Sequence, residues 1–232
     1  FLPGVQLNHA LQFTSSLEEI CEYGELLLSA VPSQVVRLVL DKFPEHWDKP
    51  IVSVSKGIEN NTGMRMSEVI AETLHLNPEE IVILSGPSHA EEVSKKYPTT
   101  VVAACENIEN ARNIQTIFSN DYFRVYSGRD VIGVEIGGAA KNIIALAAGI
   151  CHGLDYGDNT MAALVTRGLE EIIRYGTRMG AQRNTFSGLS GMGDLVVTAF
   201  SPHSRNRQVG ERIGRGEKLN DILASMEMVA EG

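Results

Sequence analysis

The sequence predicts an α/β domain over residues 1–128 followed by an all-α domain over residues 129–232. Two observations carry this prediction. In the first part, short apolar runs of strand length alternate with stretches of helical periodicity, the pattern of a sheet covered by helices. From about Val131 the strand signals stop and only helical patterns remain. The change in composition near residues 127–130 marks the domain boundary.

The predicted strands are short runs of aliphatic and small residues, each followed by a turn or a polar segment. They lie at 26–31, 51–55, 81–84, 100–104 and 123–126. The predicted helices of this part lie at 16–23, 33–43, 66–75, 90–96 and 108–118. Ligands bind such sheets where strands end, so the turns after these strands are candidate sites.

The second part contains four predicted helices. A helix rich in small residues covers 133–151, and a second covers 159–179 with Asp158 or Asn159 as N-cap and Gly180 as stop. The third begins near His203 and the fourth near Leu219. The apolar stretch 136–154 includes a lysine, an asparagine and a histidine, so a buried helix is favoured over a membrane span.

The composition limits the class of partner. The net charge is -9 and the pI about 5.2, an acidic balance that argues against nucleic acid or an anionic membrane as the main partner. Cys21, Cys105 and Cys151 are widely spaced and form no metal-ligand pattern. We therefore expect neither disulfides nor a metal site, and a reducing, cytoplasmic compartment.

The beginning of the chain carries no strand running into G-x-G-x-x-G, the usual opening of a dinucleotide-binding domain. No secretory leader is visible there either. Either the chain binds no dinucleotide, or the first strands and the glycine turn of the α/β domain are missing, and we expect the latter. The last residues end without a terminating signal, so the chain is interpreted as an internal piece of a longer protein.

Lys141 is the most informative residue. No other Lys, Arg, Asp or Glu lies between Ile136 and Leu154, and the neighbours at helical spacing are small or apolar. Burial disfavours an ammonium and can tune it for proton transfer. The alternative is a lysine that snorkels from the helix to the surface.

Two turns after predicted strands form a second group of candidates. Lys56 and a glycine directly follow one strand, where a lysine could reach a phosphate or a carbonyl. The segment 85–90 follows another strand and opens a helix, so its hydroxyls and backbone N–H groups suit an anion. An ordinary solvated turn and a simple N-cap remain the alternatives.

Two segments of the helical part also carry polar groups. Asp194 closes the glycine-rich run 187–194, where it could orient a lysine or a substrate hydroxyl. Arg205 stands at the start of a helix, where a guanidinium and the positive helix end favour a phosphate. The alternatives are a flexible loop with a capping aspartate and a solvated surface helix. Together these groups favour protonation of a carbonyl beside a bound phosphate, and His89, His152 and His203 are expected to be structural.

Several segments resemble one family, the soluble NAD(P)-dependent glycerol-3-phosphate dehydrogenases of the bacterial type. The matching segments occur in the family's order: AVPSQ, VSKGIE, LSGPSHAEEV, GGAAKNIIALAAGICHGLDYGDNT, GLSGMGDLVVT and SRNRQVG. The resemblance implies a Rossmann-like N-terminal domain and a helical C-terminal domain. It also implies reversible reduction of dihydroxyacetone phosphate to sn-glycerol 3-phosphate, a phospholipid precursor, by a cytoplasmic enzyme that is expected to be a homodimer.

The resemblance also assigns site residues. Lys141 would be the general acid–base. The substrate would be bound by Lys56, Gly86, Ser88, Lys141, Asp194, Ser204, Arg205 and Asn206. NAD or NADP would be bound by Lys56, Ala90, Arg205, Val229 and Glu231. The remaining alternatives are a dehydrogenase of the same plan for a β-hydroxy acid, and a non-catalytic binding module that kept the fold.

Overall fold

The structure is a computed structural model that describes Leu2, residues 4–43 and residues 47–226. The chain divides into two units. The N-terminal unit comprises residues 1–84 and 88–129, and the C-terminal unit comprises residues 85–87 and 130–232.

A five-stranded sheet forms the centre of the N-terminal unit, with the strands adjacent in chain order. The strands are β1 (Leu27–Ser29), β2 (Ile51–Ser53), β3 (Ile81–Ser85), β4 (Thr99–Ala104) and β5 (Phe123–Gly128). The pairs β1–β2, β2–β3 and β4–β5 are parallel. Parallel strands require long connections, usually helices, and the segments between these strands contain helices. The predicted α/β class is confirmed.

One helix precedes β1 and the others connect the strands. They are α1 (Leu17–Tyr23), α2 (Val36–Leu40), α3 (Met66–Leu74), α4 (Ala90–Val93) and α5 (Ile108–Phe118), with 3₁₀ turns at Ser33–Val35 and Pro78–Glu80. The α5 bounds equal the predicted ones, because Asn107 caps the first turn and apolar residues recur at helical spacing. The predicted helix 33–43 is shorter and opens with a 3₁₀ turn, since Pro32 precedes it without a side-chain cap.

Aliphatic side chains from β2 to β5 and α5 form the core of the N-terminal unit. Val52, Val82, Val101 and Val125 are at most 1% exposed and pack with Ile114 of α5. Burying such β-branched side chains stabilises a sheet on its covered faces. The sheet therefore gives the turns that follow its strands a fixed support.

The C-terminal unit is helical throughout its described part beyond residue 130. It contains α6 (Val131–Gly153), α7 (Asp158–Arg178), α8 (Asp194–Phe200), α9 (Arg205–Gly214) and α10 (Leu219–Ala224), with a 3₁₀ segment Arg183–Ser187 and a π-turn Leu189–Gly193. All four predicted helices form. The predicted N-cap of α7 is wrong, because the helix begins at Asp158 after Gly157, which places the carboxylate in the first turn beside free N–H groups.

The long helix α6 is the core of this unit. Within the described residues it is the one helix long and apolar enough to cross a membrane, but most of its apolar stretch is buried inside the structure. Ile136 packs with Ile172, Phe186 and Leu195 from the surrounding helical segments. This burial identifies α6 as a core helix.

Candidate functional site

Lys141 lies in the middle of α6 with its side chain only 8% exposed. Its ammonium forms an ion pair with the Asp194 carboxylate, whose side chain is 2% exposed. A surface-directed lysine is thereby excluded. A buried pair of this kind is costly to desolvate and is a weak device for stability alone, so its presence marks a candidate functional site.

Asp194 reaches Lys141 because it is the first residue of α8 and follows the π-turn directly. The glycine-rich run is therefore ordered, and the alternative of a flexible loop is wrong. Thr198, one turn later, donates a hydrogen bond from its hydroxyl to the backbone oxygen of Asp194 at 2.6 Å. Both residues are at most 5% exposed, so Asp194 is buried at the start of α8 with its backbone carbonyl bonded one turn later.

The N-terminus of α9 gathers the polar residues that follow. Ser204 caps the helix by accepting a hydrogen bond from the Arg207 backbone N–H at 3.3 Å. Ser204 and Asn206 are 3% and 8% exposed, whereas Arg205 is exposed. A helix of ten residues presents positive partial charge at this end. The arrangement suits an anion.

In the N-terminal unit, Lys56 lies half-buried in the turn after β2. Gly57 follows with φ +159°, and a Cβ on it would lie 2.3 Å from the Ser33 hydroxyl oxygen. Only glycine allows this approach. The turn after β2 is therefore packed directly against the segment that follows β1.

The Gln34 side chain fixes the same turn. Its amide nitrogen donates to the Ile58 carbonyl at 2.8 Å, and its amide oxygen accepts from the Asn60 N–H at 2.9 Å. Arg37 pairs with Glu59 through two hydrogen bonds of 2.8 and 2.9 Å. The Arg37 guanidinium, helped by the Thr62 hydroxyl, lowers the pKa of the Glu59 carboxyl.

The segment after β3 carries three of the predicted residues. Gly86 is buried with φ +142°, while Ser88 and Ala90 are exposed, and Ala90 is the first residue of α4. Pro87, in the C-terminal unit, lies 3.8 Å from the position that a Cβ on Gly193 would occupy. Gly86 and Pro87 belong to the C-terminal unit and Ser88 and Ala90 to the N-terminal unit.

Within the C-terminal unit, the structure brings together some of the predicted site residues. Lys141 and Asp194 form a pair, and Ser204, Arg205 and Asn206 follow one another at the start of α9. Val229 and Glu231 lie outside the described residues. Among the residues that the structure does describe, no group of three or more His, Cys, Asp or Glu side chains is arranged to hold a metal ion.

Asp130 was missed by sequence reasoning. One of its carboxylate oxygens caps α6 at the Gly133 N–H, 3.0 Å away, and the other accepts hydrogen bonds from residues 182 and 185. An aspartate three residues before a glycine at a helix start is an N-cap signal. The sequence contains no sign of the second, distant set of partners.

Two family models match the chain. The model described as NAD-dependent glycerol-3-phosphate dehydrogenase N-terminus matches residues 1–111, and the one described as the C-terminus of the same enzyme matches residues 130–232. Glycerol-3-phosphate dehydrogenase [NAD(P)+] of Lysinibacillus sphaericus is 52% identical over 100% of this chain and 70% of that protein. The protein of the same name from Bacillus velezensis is also 52% identical, over 100% of this chain and 68% of its own length.

Solved structures agree with these relatives. The crystal structure of glycerol-3-phosphate dehydrogenase from Coxiella burnetii superposes with a TM-score of 0.93 at 33% identity, covering 100% of this chain and 71% of that one. The yeast enzyme gives 0.85 at 26% identity, covering 100% and 69%. Sequence and structural similarity both extend over this whole chain and about two thirds or more of each relative. The chain belongs to the NAD-dependent glycerol-3-phosphate dehydrogenase family.

Proposed function

We propose that the enzyme containing this chain interconverts dihydroxyacetone phosphate and sn-glycerol 3-phosphate with NAD or NADP, and that Lys141 transfers the proton. The buried ion pair of Lys141 and Asp194 carries the proposal, because a lone lysine in a helical core needs a reason beyond packing. Membership of the family supports the reaction class and the cofactor.

Lys141 would act at the substrate oxygen. In the reducing direction, its ammonium donates a proton as negative charge develops on the carbonyl oxygen, and in the oxidising direction its amine takes the hydroxyl proton. The carboxylate of Asp194 favours the charged form of Lys141 and fixes the direction of its Nζ. Asp194 would thus orient the proton donor and also contact the substrate.

The phosphate would bind at the start of α9. Arg205 supplies a planar guanidinium that can hold two phosphate oxygens, while Ser204 and Asn206 add buried polar groups beside the positive end of the helix. Binding of the phosphate aligns the reacting carbon of the substrate, so these contacts contribute to turnover as well as to affinity. Gly86, Ser88 and Lys56 are proposed as further substrate contacts.

The residues present fit a nicotinamide dinucleotide. The strands β1, β2 and β3 are parallel and in register, so their carboxyl ends lie on one edge, where such cofactors bind. Lys56 follows β2 on that edge, and Gly57 beside it lets the backbone of the turn approach Ser33 closely. Lys56, Ala90, Arg205, Val229 and Glu231 are proposed as cofactor contacts. When bound, the nicotinamide supplies the hydride in reduction and accepts it in oxidation.

Residues 1–128 would form the cofactor domain and residues 129–232 the substrate domain. The enzyme would act in the cytoplasm as a homodimer and supply the precursor of phospholipids. Size-exclusion chromatography with light scattering tests the homodimer directly.

The experiment that tests the role of Lys141 is its replacement by alanine in the full-length enzyme. We expect turnover of dihydroxyacetone phosphate, followed by nicotinamide absorbance, to fall by about 10²–10⁴-fold, since this is the usual contribution of a general acid–base. Cofactor affinity should stay unchanged. The exposed Lys218 gives a matched control, since Lys218→Ala should keep full turnover. Near-normal turnover of K141A would refute the assignment.

A second substitution separates the phosphorylated substrate from the β-hydroxy acid alternative. Arg205→Ala should lower kcat/KM for dihydroxyacetone phosphate by about 10- to 150-fold, because a charge-assisted hydrogen bond contributes about 1.5–3 kcal/mol. Activity on dihydroxyacetone itself should change little at saturating cofactor, a condition that is needed because Arg205 is also a proposed cofactor contact. An equal loss on both substrates would show that Arg205 does not bind the phosphate.

A further inference from the structure

One face of α6 is in contact with the segment 182–194 at three successive levels. Gly133, Gly137 and Lys141 are four residues apart and therefore lie on the same face of the helix. Their neighbours across the contact are Thr185, Ser190 and Asp194, in the same order. The ion pair is thus the last of three contacts along a single seam.

The first contact is made by Asp130. One carboxylate oxygen accepts the Gly133 N–H at 3.0 Å, which caps α6. The other accepts the Gln182 N–H at 2.9 Å and the Thr185 hydroxyl at 2.6 Å. An N-cap needs only one acceptor oxygen. The second oxygen therefore ties the beginning of the 182–194 segment to the beginning of the helix that carries Lys141.

The second contact is made by Gly137. A Cβ at this position would lie 2.5 Å from the Ser190 carbonyl oxygen, so the backbone of the segment lies directly on the helix. The segment is also folded closely on itself, because a Cβ on Gly191 would lie 2.2 Å from the Phe186 carbonyl oxygen. A side chain at either glycine would therefore push the segment away from α6 or disturb its own fold.

The π-turn sets the register of the third contact. The partners of α6 advance by five residues from Thr185 to Ser190 and by four to Asp194, while the α6 residues advance by four each time. The Gly193 N–H bonds to the Gly188 carbonyl at 3.1 Å, five residues back, so a π-turn leads directly into Asp194. In an α-helix one residue more or less would rotate Asp194 by about 100°.

We propose that Asp130 and Gly137 are positioning residues that set the geometry of the Lys141–Asp194 pair. They act through that pair and make no contact with the substrate themselves. The proposal rests on the proposed role of Lys141. The three contacts between α6 and the segment 182–194 would together keep the Lys141 ammonium aligned with the Asp194 carboxylate.

A double-mutant cycle in the full-length enzyme tests this. Asp130→Asn keeps an oxygen for the Gly133 N–H but places an amide nitrogen against the two distant donors. We expect kcat to fall by about 10-fold with unchanged cofactor affinity, because a displacement of about 1 Å at a reacting group can cost up to 10²-fold. In an Asp194→Asn background, the same change should lower kcat by less than about twofold, since the pair it serves is already broken.

One control and two further test variants separate the outcomes. Asn107→Ala removes the cap of α5 in the N-terminal unit, and it should lower stability without changing kcat. Thr185→Val removes one of the distant bonds only, and it should reproduce part of the D130N effect in a variant that folds. Gly137→Ala should lower kcat as D130N does.

Multiplicative losses in the D130N/D194N double variant would overturn the positioning role, since Asp130 would then act independently of the pair. Unchanged kcat in both T185V and G137A would overturn it as well. A wild-type turnover of D194N by itself would instead refute the proposed role of the pair, which is a different result from the same set of variants.

Discussion

Lys141 and Lys56 carry the same charge in opposite surroundings. Lys141 lies in a helical core, is 8% exposed and faces a buried carboxylate. Lys56 lies half-buried in a turn after a strand, and the backbone of that turn is fixed by Gln34 and by contact with Ser33. The position of the Lys141 ammonium is fixed by contact with a carboxylate. The position of Lys56 is set by the conformation of the turn that carries it.

The difference predicts different responses to substitution. A buried charge whose partner is removed has no water to solvate it, so the loss is large. A turn that is fixed by side-chain hydrogen bonds near the surface loses less stability when one of these bonds is removed, because water can replace the lost partner. The variants below probe each environment, in order of decreasing effect.

Asp194→Ala should lower the free energy of unfolding by about 3–5 kcal/mol, because the Lys141 ammonium is left buried without its carboxylate. The double variant Lys141→Met/Asp194→Leu should unfold near the wild-type free energy, since an apolar pair of similar volume removes both charges. Denaturant titration measures both. Equal losses in the single and double variants would show that packing rather than charge controls this site.

Gln34→Ala should lower the free energy of unfolding by about 1–2 kcal/mol, because two hydrogen bonds to the turn after Lys56 are lost near the surface. It should also raise KM for the substrate, since Lys56 is proposed to bind it. Gln115→Ala is the matched control, because Gln115 donates one amide hydrogen bond to the Val125 carbonyl elsewhere in the same unit. A KM increase of equal size in Q115A would contradict the positioning of Lys56 by Gln34.

Glu59→Gln should have the smallest effect, a loss of about 1 kcal/mol or less at neutral pH for a partly exposed pair. The Arg37 guanidinium lowers the folded-state pKa of Glu59, so its contribution is present above the ordinary carboxyl pKa of about 4.3. It is lost as pH falls through the lowered folded pKa.

The measurement is the difference in unfolding free energy between wild type and E59Q at several pH values. The difference should be constant above about pH 5 and should shrink below about pH 4.3. A difference that grew as the pH fell would mean that the Glu59 carboxylate is not stabilised in the folded state.

Periodicity located nearly every element because local signals and burial agree along this chain. Helix α5 is bounded by Asn107 and by the end of its apolar spacing, and both are visible in the sequence. The short helices α2 and α4 were predicted too long, since helical propensity continues after their packing ends. The π-turn before Asp194 was unpredictable, because five glycine-rich residues carry no period.

The sequence by itself determined which groups could do chemistry. It singled out Lys141 as the one charged residue between Ile136 and Leu154, and the family's segments around it, because residue type and spacing are local properties. The sequence suggested that Asp194 could orient a lysine, and the tertiary structure pairs it with Lys141, 53 residues away. Only the tertiary structure shows that Asp130 connects the two segments. Such contacts depend on how helices pack and where a turn shifts the register, and no local pattern encodes that distance.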